Sequence, residues 1–522
     1  MSMPDTFGAN PFDDGSHSNA ARPNAARPNA VRLADLFPAA TRTGAVDGNA
    51  VDSGIAFSSC VSDWREVQPG DVYVALPDST GCEDDGHLHA QRAVSCGAIA
   101  VVCEQPVPVF DVPTFLVPDT RVAFGEICQA LMGHPSRQLE VIGVAGTHGK
   151  STTIALLESI FSAAGKHCGK ISSLGCYDGM THSKGISDSP SSASLASRLG
   201  RMESAGCTHA LVEVSSQSLS QARMAGVEFG AVCVTNVTQA HLELHNTVQS
   251  YHQTQRRILD HLAPSGMVAL NADDPVSKGW LDKISGPVLT FSVGSAAEVS
   301  AKLVESYANG QTFVLTAGSD SVAVCTSIVG EHHLANCLAA ATIALSYGIE
   351  LQQIAAGLES VVKLPGRMEL VDCGQGFPLF VDAADSVDAL RASLRTAKQL
   401  AEGRVLCVWG DTTQVSPGQR LAVSQVLTRM ADLAIVCEPL IQFLDDIEID
   451  ASEGAEIEIV ADRNEAIACA VAMAEPGDVV VIAGSRVQPG FTFGGHGMGC
   501  PEVEVVRQLV HAKQVPALRL VG

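Results

Sequence analysis

A turn that could bind phosphate follows an apolar segment at residues 141–145. Its glycines, Gly146 and Gly149, allow the backbone to bend so that its N–H groups face an anion. The ammonium group of Lys150 adds a positive charge, and a hydroxyl such as that of Ser151 ligates Mg²⁺ in loops of this kind. The start of a helix also favours bound phosphate. The segment therefore predicts a nucleoside triphosphate site.

The elements that must position this turn are a buried strand before it and a helix after it. Apolar residues at helical spacing predict a helix over residues 152–164 that ends at Gly165. They are Ile154, Leu157, Ile160 and Phe161. The spacing departs from G-x-x-x-x-G-K-[ST], because Gly143 lies one residue too far upstream and Ala145 stands in place of the first glycine. A glycine-rich turn with an incidental lysine is the alternative, but the order strand, turn, G-K-S and helix favours the phosphate site.

Length and composition set limits on the fold and on the partners. A chain of 522 residues predicts three or four domains. Its 16 cysteines include no C-x-x-C pair, which indicates thiols in a reducing compartment and neither a disulfide framework nor a zinc site. The net charge of −24 argues against nucleic acid or an anionic membrane as partner. Since we find neither a membrane-spanning stretch nor a signal peptide pattern, we expect a cytoplasmic protein.

The first 139 residues divide into two parts. Residues 1–30 contain few bulky apolar side chains and a short N-A-A-R-P repeat, so we expect a disordered arm. Residues 31–139 predict a small N-terminal α/β domain. Its expected strands are residues 72–76, 98–103 and 114–117, and its expected helix is residues 87–96.

Two larger α/β domains are expected to follow. Over residues 140–363, strands that are apolar on both faces predict a parallel sheet covered by helices on both sides. These strands are residues 141–145, 210–214, 231–235 and 267–270. Residues 364–522 repeat the rhythm without a phosphate loop and predict a Rossmann-like domain. Its strands are residues 380–381, 404–409, 433–437 and 478–482. The predicted fold is therefore α/β with three domains.

Polar residues follow the central strands, where open parallel sheets bind ligands. Glu213 ends one strand beside the phosphate turn and could hold Mg²⁺ together with Ser151. His241 follows the next strand, and Asn271, Asp273 and Asp274 follow the one after it. Each has a structural alternative: a capping or ion-paired carboxylate, a surface histidine, and an ordinary Asx turn.

Three motifs in the middle of the chain resemble the Mur ligase family, and within it the MurE branch. The ATP loop of the family is similar to V-A-G-T-H-G-K-S-T-T at residues 144–153. The substrate and metal segment is similar to E-V-S-S-Q-S-L-S-Q-A-R at residues 213–223. The second metal segment is similar to T-N-V-T-Q-A-H-L-E-L-H at residues 235–245.

The resemblance extends to both ends of the chain. The start of the adenine-contacting helix is similar to G-E-H-H-L-A-N-C-L-A-A-A at residues 330–341, and the entry to the C-terminal domain is similar to L-P-G-R-M-E at residues 364–369. The segment that receives the uridine nucleotide is similar to residues 63–76 followed by E-D-D-G-H at residues 83–87. The resemblance thus covers most of the chain from about residue 31.

The resemblance implies an ATP-dependent amide ligase that adds an amino acid to a UDP-N-acetylmuramoyl-peptide through an acyl phosphate. It implies Lys150, Glu213 and His241 as catalytic residues, with Ser151 and Glu213 on one Mg²⁺ and His241 on a second. The implied ATP-binding residues are Gly146, Thr147, His148, Gly149, Lys150, Ser151, Thr152, His333, Asn336, Arg367 and Asp382. The implied substrate-binding residues are Asp63, Arg65, Asp188, Ser189, Ser215, Gln221 and Arg223. We expect a monomer whose domains close on their ligands.

Several positions depart from the family pattern. The family has a lysine four residues after Tyr251, carbamylated so that it ligates the second Mg²⁺, whereas this chain has Gln255. Residues 382–388 read D-A-A-D-S-V-D in place of D-Y-A-H-T-P-D, and His333 replaces an asparagine. The diaminopimelate-recognising D-N-P-R is absent near residues 437–440, and residues 484–487 replace K-G-H-E.

Two function classes therefore stay open. An active ligase with an altered amino acid or altered metal use is favoured by the intact phosphate and metal residues. A degenerate paralogue that binds nucleotide or a UDP-sugar peptide without joining anything is favoured by the losses on the acceptor side. A related ligase acting on folate is disfavoured by the uridine-type first domain.

Overall fold

The computed structural model shows three α/β units in chain order. It describes residues 20–21, 31–43, 56–77, 85–109, 111–186, 189–410, 417–437, 456–484, 490–491 and 498–514. Asp188, most of the arm expected over residues 1–30, and the altered segments at 438–440 and 485–487 lie outside the described residues.

The N-terminal unit is a small sheet with helices against it. Its elements are β1 (Ala20–Ala21), β2 (Val31–Arg32), α1 (Leu33–Leu36), β3 (Thr41–Thr43), β4 (Ala56–Phe57), β5 (Cys60–Val61), β6 (Val72–Val74), α2 (Ala90–Ser95), β7 (Ala100–Cys103), β8 (Thr114–Leu116) and α3 (Thr120–Leu131). In the described residues its main sheet runs β1-β5-β6-β7-β8-β3, in which β5 to β8 are parallel, and β2 pairs antiparallel with β4 in a separate sheet. Ala20 and Ala21, which belong to the segment expected to be disordered, pair antiparallel with β5.

The central unit is built on a large sheet. Its strands are β9 (Glu140–Ala145), β10 (Cys168–Ser172), β11 (Gly175–Tyr177), β12 (His182–Ser183), β13 (His209–Glu213), β14 (Phe229–Val234), β15 (Leu262–Asn271), β16 (Val288–Ser292), β17 (Val299–Tyr307), β18 (Gly310–Ala317) and β19 (Asp320–Thr326). Its helices are α4 (Lys150–Ala163), α5 (Ser192–Ser204), α6 (Ser216–Ser220), α7 (Leu242–His245), α8 (Val248–Arg256), α9 (Pro275–Lys278), α10 (Glu331–Ser346) and α11 (Leu351–Glu359).

The C-terminal unit has a second, smaller sheet. Its strands are β20 (Glu369–Leu370), β21 (Leu379–Val381), β22 (Val405–Trp409), β23 (Leu433–Cys437), β24 (Glu456–Val460), β25 (Val479–Ala483), β26 (Gly490–Phe491) and β27 (Met498–Gly499). Its helices are α12 (Val387–Leu400), α13 (Pro417–Met430), α14 (Arg463–Met473) and α15 (Pro501–Gln514). The main sheet runs β20-β21-β25-β22-β23-β24 in the described residues, and it is parallel from β21 to β24.

The order of the central sheet places three strand ends side by side. The described strands run β12-β11-β10-β13-β9-β14-β15-β16-β17-β18-β19, and β10 to β17 are parallel. Strand β9 therefore lies between β13 and β14, and the chain leaves it toward β10 on one side and reaches β14 on the other. Such a switch point opens a crevice at the carboxyl ends of the strands. Here that crevice receives the phosphate turn from β9 and the polar ends of β13 and β14.

Apolar cores fix these strands from both faces. One core packs α4, α10 and α11 against the sheet, with Ile142, Leu157 and Leu338 fully buried. The other packs α5, α6 and α8 against the opposite face, with Val141 and Leu199 fully buried. Consecutive side chains of a strand point to opposite faces, so a strand covered on both sides is apolar throughout. The predicted α/β class and the covered parallel sheet are confirmed, while the domain limits at residues 139 and 363 stay predictions.

Candidate functional site

The phosphate turn joins β9 to α4 with two glycines in backbone conformations that favour glycine. Gly146 has φ 133° and Gly149 has φ 86°. A Cβ atom on Gly149 would lie 2.1 Å from Asn336 Oδ1, and one on Gly146 would lie 2.2 Å from Thr235 Oγ1. Both positions therefore need glycine for space as well as for conformation. The close approach also places Asn336, near the start of α10, directly against the turn.

The end of β14 holds the turn in place through hydrogen bonds. The Thr147 N–H donates to the Asn236 main-chain oxygen over 2.8 Å. The His148 N–H donates to Asn236 Oδ1 over 3.0 Å. The Thr235 hydroxyl donates to the His148 carbonyl over 2.6 Å. The turn is thus fixed to the neighbouring strand before any ligand binds, which is how a preorganised anion site avoids reorganisation on binding.

Lys150 and Arg367 bring positive charge to the turn. Lys150 Nζ donates to the main-chain oxygens of Gly146 and Thr147, at 2.9 Å each. Burial lowers the pKa of Lys150, the Glu213 carboxylate acts in the opposite direction, and Arg367 lowers this pKa further. The half-buried Arg367 lies close enough to act on the pKa of His148 and of Lys150. The two cations therefore share one edge of the crevice, an arrangement that suits a polyphosphate.

Ser151 and Glu213 form a hydroxyl–carboxylate pair beside the turn. Ser151 Oγ donates to Glu213 Oε1 over 2.9 Å and lies 2.7 Å from Ser173 Oγ. The other carboxylate oxygen accepts the Ser172 hydroxyl at 2.9 Å and the Ser173 N–H at 2.8 Å. Mg²⁺ prefers oxygen ligands and is held by one or two protein groups plus water and phosphate oxygens. The pair fits one Mg²⁺ on this donor chemistry.

His241 lies in a different environment. It has φ 52°, its side chain is 59% exposed, and its Nδ1 lies 3.2 Å from a Glu243 carboxylate oxygen. The described residues contain no group of three or more His, Cys, Asp or Glu side chains that could hold a metal ion. The catalytic and metal roles of His241 stay predictions.

Three of the predicted substrate-binding residues come together near the end of β13. Ser189 Oγ lies 2.7 Å from Ser215 Oγ, and Arg223 Nη1 donates to the Ser189 carbonyl oxygen. Ser215 also caps α6 by accepting the Ser218 N–H at 3.1 Å. Gln221 follows at the end of the same short helix, where its N–H donates to a helix carbonyl. Ser215 lies two residues after Glu213, so the predicted substrate residues lie close to the predicted metal ligand at the end of β13.

Asp63 and Arg65 lie in the N-terminal unit, next to β5. Asp63 begins a short 3-10 helix at Trp64–Glu66 and accepts the Arg65 N–H at 2.9 Å. The two side chains also form an ion pair at 3.3 Å, and the Arg65 guanidinium lies 5.5 Å from the Trp64 ring centroid. Their role toward a substrate stays a prediction.

Histidines lie on the side of the crevice where the nucleotide is predicted to bind. His333 is buried, and neither of its ring nitrogens has a hydrogen-bond partner in the described structure. Its ring lies 4.1 Å from that of His332. Burial lowers the pKa of His332 to about 4, and His148 and Arg367 add to the shift. Burial also lowers the pKa of His148 to about 4, where Lys150 and Arg367 add to the shift and Asp385 and Asp388 oppose it. Burial likewise lowers the pKa of His333. These histidines are neutral near pH 7.

Asp382 approaches this edge from the C-terminal unit. It is buried, accepts the Ser393 hydroxyl, and has its pKa raised by burial, with Arg367 acting against the increase. His148 Nε2 lies 3.4 Å from Ser386 Oγ at the start of α12. Two units therefore contribute to the predicted nucleotide site, one through the turn and α10 and the other through the end of β21.

The sequence of this chain is similar to a family of known proteins. The sequence profile of the Mur ligase middle domain matches residues 144–344, and that of the Mur ligase glutamate ligase domain matches residues 366–486. The chain is 36% identical over 437 residues to UDP-N-acetylmuramoyl-L-alanyl-D-glutamate–2,6-diaminopimelate ligase of Geobacillus kaustophilus, covering 81% of this chain and 88% of that protein. The chain belongs to the Mur ligase family.

Two further comparisons agree. UDP-N-acetylmuramyl-tripeptide synthetase of Roseiflexus sp. is 33% identical to this Mur ligase over 83% of this chain and 90% of that protein. A solved UDP-N-acetylmuramoyl-L-alanyl-D-glutamate–2,6-diaminopimelate ligase superposes with a TM-score of 0.68 at 24% identity, covering 93% of this chain and all of that one, which supports the fold. No helix in the described residues is long and apolar enough to span a membrane.

The acidic residues after β15 have structural roles in this Mur ligase. Asn271 Oδ1 accepts the Asp273 N–H at 2.9 Å, which is the Asx turn named as the alternative. Asp273 binds the Ser292 hydroxyl and the Val293 N–H. Asp274 caps α9. These contacts account for all three residues without a ligand.

The sequence patterns do not predict the residues that hold the phosphate turn and the Glu213 carboxylate in place. Thr235 and Asn236 hold the turn, and Ser172 and Ser173 hold the Glu213 carboxylate. All four lie at or just after the carboxyl end of a parallel strand, which is the signal that could have found them. Residues 168–172, C-G-K-I-S, form a strand. Their lysine interrupts the continuous apolar run from which a buried strand is predicted.

Proposed function

We propose that this chain is an ATP-dependent amide ligase that joins an amino acid to a UDP-N-acetylmuramoyl-peptide in the synthesis of a cell-wall precursor. The observation that carries the proposal is the pair formed by Ser151 and Glu213, which adjoins Lys150 on one side and the cluster of Ser189, Ser215 and Arg223 on the other. The turn predicted to bind phosphate and the polar cluster predicted to bind substrate thus follow the neighbouring strands β9 and β13. The names of the relatives supply the substrate class.

The proposed reaction has two steps. A substrate carboxylate oxygen attacks the γ-phosphorus of ATP, and the bond to the ADP oxygen breaks. The amine nitrogen of the incoming amino acid then attacks the acyl carbon, loses a proton, and displaces phosphate to leave an amide. Both steps need positioning and charge neutralisation more than a protein nucleophile.

The residues supply these needs in defined ways. Lys150 and Arg367 would neutralise the phosphate oxygens, and the main-chain N–H groups at the start of α4 would orient them. Ser151 and Glu213 would hold one Mg²⁺, which when bound neutralises phosphate charge. Arg223 would pair with an anionic group of the muramoyl-peptide. His148 and His332 are neutral near pH 7, so the charge of the pocket does not change with their protonation in this range.

We further propose that the enzyme works as a monomer in the cytoplasm. All proposed site residues belong to one chain, and the cysteines in the described part of the chain form no disulfide, as expected in a reducing compartment. The amino acid added is the open specificity question, since the relatives named above are diaminopimelate or tripeptide ligases while this chain lacks the D-N-P-R segment.

A phosphate-release assay tests the proposal. Purified protein is incubated with ATP, Mg²⁺, UDP-N-acetylmuramoyl-L-alanyl-D-glutamate and each member of an amino-acid panel that includes diaminopimelate. We expect release only when both co-substrates are present, together with a new amide product in mass spectrometry. Binding of ATP without release for any amino acid would contradict the ligase and support a non-catalytic relative.

A further inference from the structure

A chain of hydrogen bonds runs from Gln255 on α8 to the phosphate turn. The Gln255 amide nitrogen donates to the Tyr251 hydroxyl over 2.8 Å, and that hydroxyl donates to Thr147 Oγ1 over 2.9 Å. Thr147 Oγ1 also accepts the Thr238 N–H at 3.0 Å. Gln255 and Tyr251 are both 1% exposed. Helix α8 is therefore connected to the turn through side chains that water does not reach.

The direction of these hydrogen bonds depends on the amide at position 255. A tyrosine hydroxyl has one proton to donate, and it also accepts. Because Gln255 donates to the Tyr251 oxygen, the Tyr251 proton is available to Thr147. Burial raises the pKa of Tyr251, while its hydrogen bonds with Thr147 and Gln255 lower it. A carboxylate at position 255 would accept the Tyr251 proton and remove the donor from Thr147.

The amide oxygen of Gln255 does not fit the role of a metal ligand. Gln255 Oε1 is buried with no hydrogen-bond partner in the described structure, and as a neutral amide oxygen it would bring a cation none of the negative charge that a carboxylate or carbamate supplies. An amide is neutral and does not form the carbamate that the family resemblance implies at this position. The described residues also offer no cluster of His, Cys, Asp or Glu around it.

We propose that Gln255 is a positioning residue, which holds Thr147 in the phosphate turn through Tyr251 and takes the place of a carbamylated metal ligand. The proposal deepens the ligase function and rests on it. ATP binding then depends on the chain of hydrogen bonds, and the activity does not depend on bicarbonate.

Three substitutions separate positioning from ligation. Gln255→Glu keeps the size of the side chain, makes it a better cation ligand and reverses its hydrogen bond to Tyr251. Tyr251→Phe removes the middle of the chain and keeps the ring. Gln253→Glu is the matched control, because Gln253 is exposed on the same helix. Each protein is compared by direct binding of a fluorescent ATP analogue, by KM and kcat in phosphate release, and by cooperative urea unfolding.

We expect Gln255→Glu and Tyr251→Phe each to weaken nucleotide binding and raise the KM for ATP by roughly tenfold, the effect of losing one hydrogen bond, with a smaller change in kcat. The double variant should be no weaker than the worse single variant, since both break one chain. Gln253→Glu should behave as the wild type. Phosphate release should be unchanged when bicarbonate and CO₂ are removed.

Wild-type nucleotide affinity in Gln255→Glu, a faster reaction in that variant, or a loss of activity without bicarbonate would each overturn the proposal. If Gln255→Glu does not unfold cooperatively, Tyr251→Phe decides, and unchanged affinity there overturns it. Because nucleotide binding is measured without turnover, the test stands even if the wild type releases no phosphate. That second result would reject the ligase function alone.

Discussion

Lys150 binds the carbonyl oxygens of its own turn, so its ammonium group is already held where a phosphate would lie. Hydrogen bonds from a charged group contribute about 1.5–3 kcal/mol, which corresponds to roughly 10- to 100-fold in affinity. We therefore expect Lys150→Ala to weaken ATP binding by that factor in a titration with a fluorescent analogue. Lys166→Ala, an exposed lysine just beyond the other end of α4, is the control. Equal ATP affinities in the two variants would contradict the site assignment.

The predicted role of the Glu213 carboxylate as a Mg²⁺ ligand can be tested by substitution. Glu213→Gln removes the charge but keeps an oxygen that can accept the Ser173 N–H. We expect the Mg²⁺ concentration for half-maximal phosphate release to rise about tenfold, because an amide is a weaker Mg²⁺ ligand than a carboxylate. The exposed Glu402→Gln serves as the control. A Mg²⁺ dependence that stays at the wild-type value would argue against Glu213 as a metal ligand.

Sequence reasoning found individual residues best where chemistry and strand ends coincide. The G-K-S turn and Glu213 could be predicted as site residues, because a phosphate-binding motif or a charged residue at the end of a buried strand usually has a function. The hydrogen bond between Ser151 and Glu213 confirms that the two are adjacent. The serines that orient Glu213 could not be named, since a serine in a turn has many structural uses and only the fold shows which carboxylate it contacts.

At the scale of elements, the turn between β9 and α4 depends on its glycines. Gly149 and Gly165 both have positive φ, 86° and 70°. A Cβ atom at Gly165 meets nothing within 4 Å, whereas one at Gly149 would overlap Asn336 Oδ1 at 2.1 Å. Gly165→Ala should therefore cost only the backbone strain, about 1–2 kcal/mol. Gly149→Ala should cost more, because the Asn336 side chain must also move away from the turn.

Urea unfolding and nucleotide titration check this pair of variants. We expect Gly165→Ala to lower the free energy of unfolding slightly and to keep the wild-type ATP affinity. We expect Gly149→Ala to lower both the free energy of unfolding and the affinity. Similar ATP affinities in the two variants would mean that the contact with Asn336 does not shape the nucleotide site.

Elements with apolar residues on both faces were predicted well, and elements with alternating patterns were missed. The parallel strands β9, β13, β14 and β15 were expected from continuous apolar runs. The strands β17, β18 and β19 extend the central sheet, where β17 is parallel to β16 and the pairs β17–β18 and β18–β19 are antiparallel. In β18 buried and less buried residues alternate, because one face of that strand is open to solvent. A search limited to continuous apolar runs does not detect that pattern.

At the scale of the whole molecule, buried and half-buried histidines link stability to pH. Burial lowers the pKa of several of them, to about 4 for His148, His209 and His332. These residues lie near the phosphate turn and at the start of β13. Between pH 4 and 6.5 they are neutral in the folded state and protonated in the unfolded state. The unfolded state then binds more protons, so stability rises with pH in that window and falls on acidification.

We expect the free energy of unfolding in urea to decrease from pH 6.5 to pH 5 by up to about 1.4 kcal/mol per pH unit for each such histidine. Carboxylates with lowered pKa, such as Asp273 and Asp478, affect stability only below about pH 4, outside this range. Replacing His332 or His209 by asparagine should reduce the slope of the unfolding free energy against pH by the contribution of one histidine. His182→Asn, at an exposed position, should leave that slope unchanged. A slope that is equal in all three variants and the wild type would show that the histidines are not the cause. His332 adjoins the predicted nucleotide site, whereas His209 lies at the amino end of β13, away from that site. Equal effects of the two substitutions would therefore place the origin of the slope in burial and not in the predicted site.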